Sequence, residues 1–147
     1  FFGGIYGLNK QALKNKAEEL LHTLQLTNEA NKLVGSLPLG WKQKLAFSVA
    51  IIHQPVLVFL DEPTGGVDPI TRRQFWDMIY QASENGITVF VTTHYMDEAS
   101  YCNRLSIMVD GQIRAMGSPS ELMDLHHADN MDQVFFDLAR TATRSAD

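Results

Sequence analysis

Leu60-Asp61-Glu62-Pro63 sets two adjacent carboxylates where the apolar run Val56-Leu57-Val58-Phe59-Leu60 stops. A wholly apolar run of strand formers reads as a parallel strand covered on both faces. Ligands of open parallel sheets collect beyond the carboxyl ends of such strands. There Asp61 suits a hydrated Mg²⁺, a hard cation that prefers carboxylate and phosphate oxygens. Glu62, one residue on, points differently and suits polarising an attacking water. The same four residues also read as an acidic loop start with Pro63 as its breaker.

A second apolar strand, Ile87 to Val91, leads into Thr92-Thr93-His94. An imidazole at that sheet edge suits stabilising charge on a transferred phosphate, although a histidine after a strand is often only a polar loop residue. Gly40 opens a helix whose first amides suit an anion, or it supplies the backbone freedom of a loop-to-helix turn. Asp68 reads first as the N-cap of a helix begun by Pro69. His126-His127 has no spaced partner for a metal. Ser48 and Cys102 lack the neighbours of a nucleophile.

These residues need a frame, and the patterning supplies one. Leu13, Ala17, Leu20, Leu21 and Leu24 form the apolar stripe of an amphipathic helix over residues 11 to 26. Thr27 and Asn28 cap a short second helix that Gly35 closes. Gly40 to about His53 is a buried helix ended by Pro55. Phe75, Met78, Ile79 and Ala82 give the helix after Asp68 its core face, and Asn85-Gly86 stops it. Residues 95 to 102 form a short helix. Leu105 to Val109 and Gln112 to Met116 make a hairpin on Asp110-Gly111. Ser118-Pro119-Ser120-Glu121 is a capping box, and Met131, Val134, Phe135, Leu138 and Ala139 mark a last helix before a frayed polar tail, Thr141 to Asp147. The expected architecture is α/β: residues 1–54 a helical subdomain, 55–117 an α/β core, and 118–147 C-terminal helices and tail.

Of 147 residues 45% are apolar, enough for a buried core. Seventeen Asp/Glu against 12 Lys/Arg argue against broad binding to nucleic acid. The single cysteine excludes a disulfide framework. No apolar run approaches the roughly 18 to 20 residues that span a bilayer. The start, Phe1-Phe2-Gly3-Gly4, has neither methionine nor a basic segment, so no signal peptide is expected and the chain reads as the interior of a longer frame.

The order of motifs resembles the nucleotide-binding domain of ABC transporters from about residue 5 to residue 138. Leu37 to Lys44 is similar to the signature motif, Val56 to Thr64 to the Walker B strand with its glutamate, Gly65-Gly66-Val67-Asp68 to the D-loop, and Thr93-His94 to the switch histidine. The Gly-rich entry and the Phe75-Trp76 helix after Asp68 look most like ATPases of ABC-2-type exporters. The resemblance implies a P-loop NTPase-like parallel sheet, incomplete here, with an α-helical subdomain. It implies ATP and Mg²⁺ as cofactors, with Asp61 supporting the metal, Glu62 activating the water and His94 contacting the γ-phosphate. Gly40, Trp41 and Lys42 would face ATP held by a second ABC ATPase subunit in a head-to-tail dimer. Asp68 would couple the two halves. Transmembrane permease subunits would be the other partners, and the cytoplasmic face of the membrane the location.

Two departures shape the expectation. The family's usual Leu-Ser-Gly-Gly-Gln stands here as Leu37-Pro38-Leu39-Gly40-Trp41, which removes a hydroxyl and an amide that would reach the phosphate. No G-x-x-x-x-G-K-[ST] occurs in the 147 residues. The chain is therefore expected to be the C-terminal part of an exporter ATPase without its P-loop half, inactive alone and poorly soluble. A non-catalytic ABC-like dimerisation or regulatory module is the alternative. A soluble ABC protein of the ribosome or DNA would show heptads, basic arms or a second unit, and these residues carry none.

Overall fold

The computed structural model describes residues 2–144. Backbone proximity divides the chain into two compact units, one ending at Thr92 and one starting at Thr93. In the first unit, α1 (Phe2–Ile5) precedes α2 (Lys10–Thr23), which is capped by the Asn9 side chain accepting from the Ala12 amide. Lys16 Nζ donates to the Ile52 carbonyl at 2.8 Å, fastening α2 to the end of α3 (Leu39–Ile51). A cation at a helix C-terminus satisfies an orphan carbonyl and complements the dipole.

The helix expected after Thr27 does not form. Two 3₁₀ turns, Thr27–Glu29 and Val34–Ser36, take its place, and Gly35 lies inside the second. Leu33 and Val34 are exposed, so the segment has no apolar face whose burial could hold a longer helix. α3 is half-buried where full burial was expected: only Phe47 and Ser48 are fully enclosed. Phe47 packs on Phe75 of α4 (Pro69–Glu84), with ring centroids 5.4 Å apart.

β1 (Leu57–Asp61) and β2 (Thr88–Thr92) pair in parallel, from Leu57 opposite Thr88 to Asp61 opposite Thr92. α4 is the crossover between them and buries Phe75, Trp76, Ile79 and Ala82. The expectation that both strands are covered on both faces is not met. Val58 is buried, but Phe59 is 71% exposed and its register partner Phe90 55%. A two-stranded sheet with one helical layer leaves alternate side chains uncovered, because strand side chains point to opposite faces.

The second unit carries α5 (Met96–Ala99), the hairpin β3 (Leu105–Val109) and β4 (Gln112–Gly117), α6 (Pro119–His126) and α7 (Met131–Arg144). Asp110 and Gly111 have φ of 50° and 73°, the left-handed pair a tight hairpin turn requires. A bulge interrupts the ladder between Ile107 and Met108. Ser118 and Glu121 form the expected capping box. Its core gathers Ala99, Ile107, Leu122, Met131 and Val134. Residues 141–144, expected to fray, continue α7, where the Thr141 hydroxyl donates to the Asp137 carbonyl. The rest of the expected tail, 145–147, lies outside the described residues.

Candidate active site

β1 carries Asp61 to the carboxyl end of the parallel pair, opposite Thr92. The Thr92 hydroxyl donates to Asp61 Oδ1 at 2.5 Å and accepts from the Glu62 amide at 3.1 Å. That amide also lies 3.1 Å from the Thr92 carbonyl. One threonine thus fixes both the first carboxylate and the backbone of the second. Both carboxylates are exposed.

Glu62 has φ 43°, and its carbonyl accepts from the Gly65 amide at 3.0 Å, so the chain turns sharply at this residue. A left-handed backbone costs a residue with a Cβ about 1–2 kcal/mol. Among the described residues no three His, Cys, Asp or Glu side chains converge on one point. A cation at Asp61 would accordingly be held by this carboxylate with water and phosphate oxygens, the donor set that suits Mg²⁺.

A cleft of about 360 Å³ is lined by the start of α3 and the start of α4, which touch beside it. Leu39, Gly40, Trp41 and Lys44 line one side, and Val67, Asp68 and Thr71 the other. Pro38 caps α3 without any side-chain hydrogen bond, while its carbonyl accepts from the Trp41 and Lys42 amides. The first-turn amides therefore receive no side-chain oxygen. Gly40 has a reason beyond that role: a Cβ built there would collide with Thr71 Cγ2. Gln43 Nε2 donates to the Gly65 carbonyl at 3.1 Å, and Lys44 Nζ to Gln74 Oε1 at 2.5 Å.

Asp68 is the N-cap expected of it, accepting from the Ile70 and Thr71 amides. The Thr71 hydroxyl donates to its other oxygen at 2.6 Å, and this bond is the main reason its carboxyl is held below the usual range. Burial pushes the Lys44 ammonium below its usual value, and attraction to Asp68 offsets part of that. The Lys44 cation also lies 5.6 Å from the Trp41 ring centre.

His94 belongs to the second unit, where it is exposed and packs its ring on Tyr95 with centroids 4.1 Å apart. Sequence reasoning named Asp61, Glu62, Gly40, Trp41, Lys42, Asp68 and His94. It missed Thr92 and Thr71, which bond Asp61 and Asp68, and Gln43 and Lys44, which bond Gly65 and Gln74 beside them. The paired hydroxyls before His94 were the available signal for Thr92.

A short parallel pair with carboxylates at its C-terminal edge, joined by a crossover helix, is part of the P-loop NTPase fold of ABC ATPases. An ATP-binding subunit of an ABC transporter superposes with a TM-score of 0.79 at 21% identity, over 93% of this chain and 58% of that one. CbiO1 of Clostridium perfringens, part of the ABC transporter complex CbiONQ, superposes at 0.69 with 25% identity, over 80% of this chain and 47% of its own. The family described as "AAA domain, putative AbiEii toxin, Type IV TA system" matches residues 4–96. The probable multidrug ABC transporter ATP-binding protein YbhF of Escherichia coli is 43% identical over 143 residues, 94% of this chain and 25% of its own length. ABC transporter A family member 11 of Arabidopsis thaliana is 45% identical over 82% of this chain and 13% of its own. The chain belongs to this AAA-domain family, and its relatives and structural neighbours identify it as an ABC-type ATP-binding domain. It spans a quarter or less of the length of these two relatives.

Proposed function

We propose that this chain supplies the hydrolytic edge of an ABC exporter ATPase, with Asp61 supporting Mg²⁺ and Glu62 orienting the attacking water. The observation that carries the reading is the pair of carboxylates at the end of β1, one tied to Thr92 and the other held in a left-handed backbone. Mg-ATP, when bound, supplies the scissile phosphoanhydride and the positive charge that neutralises its oxygens. Glu62 accepts a hydrogen bond from the water and aligns it. His94 donates to the phosphate oxygen that gains charge. Asp61 would hold the ion, and Thr92 keeps Asp61 from turning away. The cradle for the phosphates comes from residues other than these 147, since none of them forms a G-x-x-x-x-G-K-[ST] loop.

The start of α3, with Gly40, Trp41 and Lys42, faces nucleotide held by a second ATPase subunit in a head-to-tail dimer, and Asp68 couples the two. CbiO1 is part of a transporter complex, which supports pairing this ATPase with transmembrane permease subunits at the cytoplasmic face. Among the described residues no helix is long and apolar enough to cross a membrane. YbhF, named as a multidrug transporter protein, supports export as the direction.

In the full-length protein, Glu62→Gln is expected to lower ATP turnover by about 100-fold or more while ATP still binds. Unchanged turnover would transfer the chain to a second reading, a non-catalytic regulatory or dimerisation module. That reading draws on one observation: Pro38, at the cap of α3, offers no side-chain hydrogen bond.

A further inference from the structure

Among the described residues Glu98 is the only carboxylate wholly removed from water. Burying a carboxylate in an apolar cluster is costly unless its oxygens are bound. Its Oε2 accepts from the Thr93 hydroxyl at 2.6 Å. That hydroxyl in turn accepts from the Tyr95 amide at 3.1 Å, so its own proton is directed to Glu98. Tyr95 then lays its ring on the imidazole of His94. The residues on either side of His94 are thus tied to one buried acid four positions further on. His94 itself remains exposed.

We propose that Glu98 is a positioning residue for His94, acting through the Thr93 hydroxyl and Tyr95 to fix the backbone that presents the imidazole to phosphate. The assignment rests on the reading of His94 given above.

The test uses the full-length ATPase at varied Mg-ATP, with melting temperature as the check on folding. Thr93→Val and Glu98→Ala are expected to lower kcat about tenfold with KM for ATP changed by less than about twofold. Thr93→Ser and Glu98→Gln, which keep the hydrogen bond, recover most of that loss. On a His94→Ala background Thr93→Val lowers kcat no further, because the group it positions is gone. If Glu98→Ala fails to fold, Thr93→Val carries the test. A folded Thr93→Val with unchanged kcat, beside a His94→Ala of low kcat, overturns the assignment and leaves the reading of His94 standing. So does an equal further loss on the His94→Ala background. Unchanged kcat in His94→Ala overturns the reading of His94 and the assignment with it.

Discussion

The hydroxyl of Thr92 donates to Asp61 while accepting from the Glu62 amide, so the last rung of the parallel pair holds the two acids together. Thr92→Val keeps the shape of the strand and removes both bonds. It is expected to raise the Mg²⁺ concentration for half-maximal turnover in the full-length protein several-fold. The cost in stability is about 1 kcal/mol or less, because the bonds are exposed. A magnesium titration that matches the parent would show that Asp61 needs no such support.

Glu62 occupies a left-handed backbone that glycine adopts freely. Glu62→Gly should therefore raise stability, by up to about 1 kcal/mol, while abolishing hydrolysis. Chemical denaturation and an ATPase assay on one preparation test both halves. A variant that is less stable than the parent would mean the turn is not strained.

Gly40 and Thr71 approach so closely that no Cβ fits between their helices. Thr71 cannot rotate its methyl away without losing the bond to Asp68. Gly40→Ala is expected to cost about 1–3 kcal/mol by overpacking. Thr71→Ser removes the offending methyl and keeps the hydroxyl, so the double variant should regain most of that loss. Additive losses in a double-mutant cycle would refute the contact.

The carboxyls of Asp68 and Glu121 are both held below their usual values of 3.8 and 4.5, Asp68 mainly by the Thr71 hydroxyl and Glu121 mainly by the Ser118 amide. A depressed carboxyl stabilises the fold above its usual value and loses that contribution as pH falls through the folded-state value. Melting temperature should therefore drop as pH is lowered from about 5 toward 2. Asp68→Asn can still cap α4 but no longer titrates, and should flatten part of the drop. An identical acid profile for parent and variant would remove Asp68 from the account.

Phe59 and Phe90 face each other on the open side of β1 and β2, with ring centroids 5.5 Å apart. Replacing both by threonine should make the isolated 147-residue chain less prone to associate, as read by light scattering. The isolated parent chain is expected neither to bind Mg-ATP tightly nor to hydrolyse it; micromolar affinity by calorimetry would overturn that.

What the sequence made legible follows its local chemistry. The Asp68-Pro69 start of α4, the Asp110-Gly111 turn and the Ser118/Glu121 box are each set by residues within four positions, and each formed as expected. The placement of Asp61 and Glu62 at a strand end was legible for the same reason. The segment after Thr27 was misread because cap residues allow a helix but only burial sustains one. The bonds from Thr92 to Asp61 and from Gln43 to Gly65 join residues 31 and 22 positions apart, a distance no local pattern encodes. Coverage of the strands was not legible in β1 and β2 themselves, because apolarity records what a strand needs, not what lies above it.

The long separation also has a meaning in time. β3 and β4 are joined by a two-residue turn and can pair as soon as both have left the ribosome. β1 must wait for a partner 31 residues later in the chain. At synthesis rates of 5–20 residues per second that is roughly 2–6 s. Until β2 has emerged, Val56, Leu57 and Phe59 lack that partner, so this apolar segment is a place where a nascent-chain chaperone could bind.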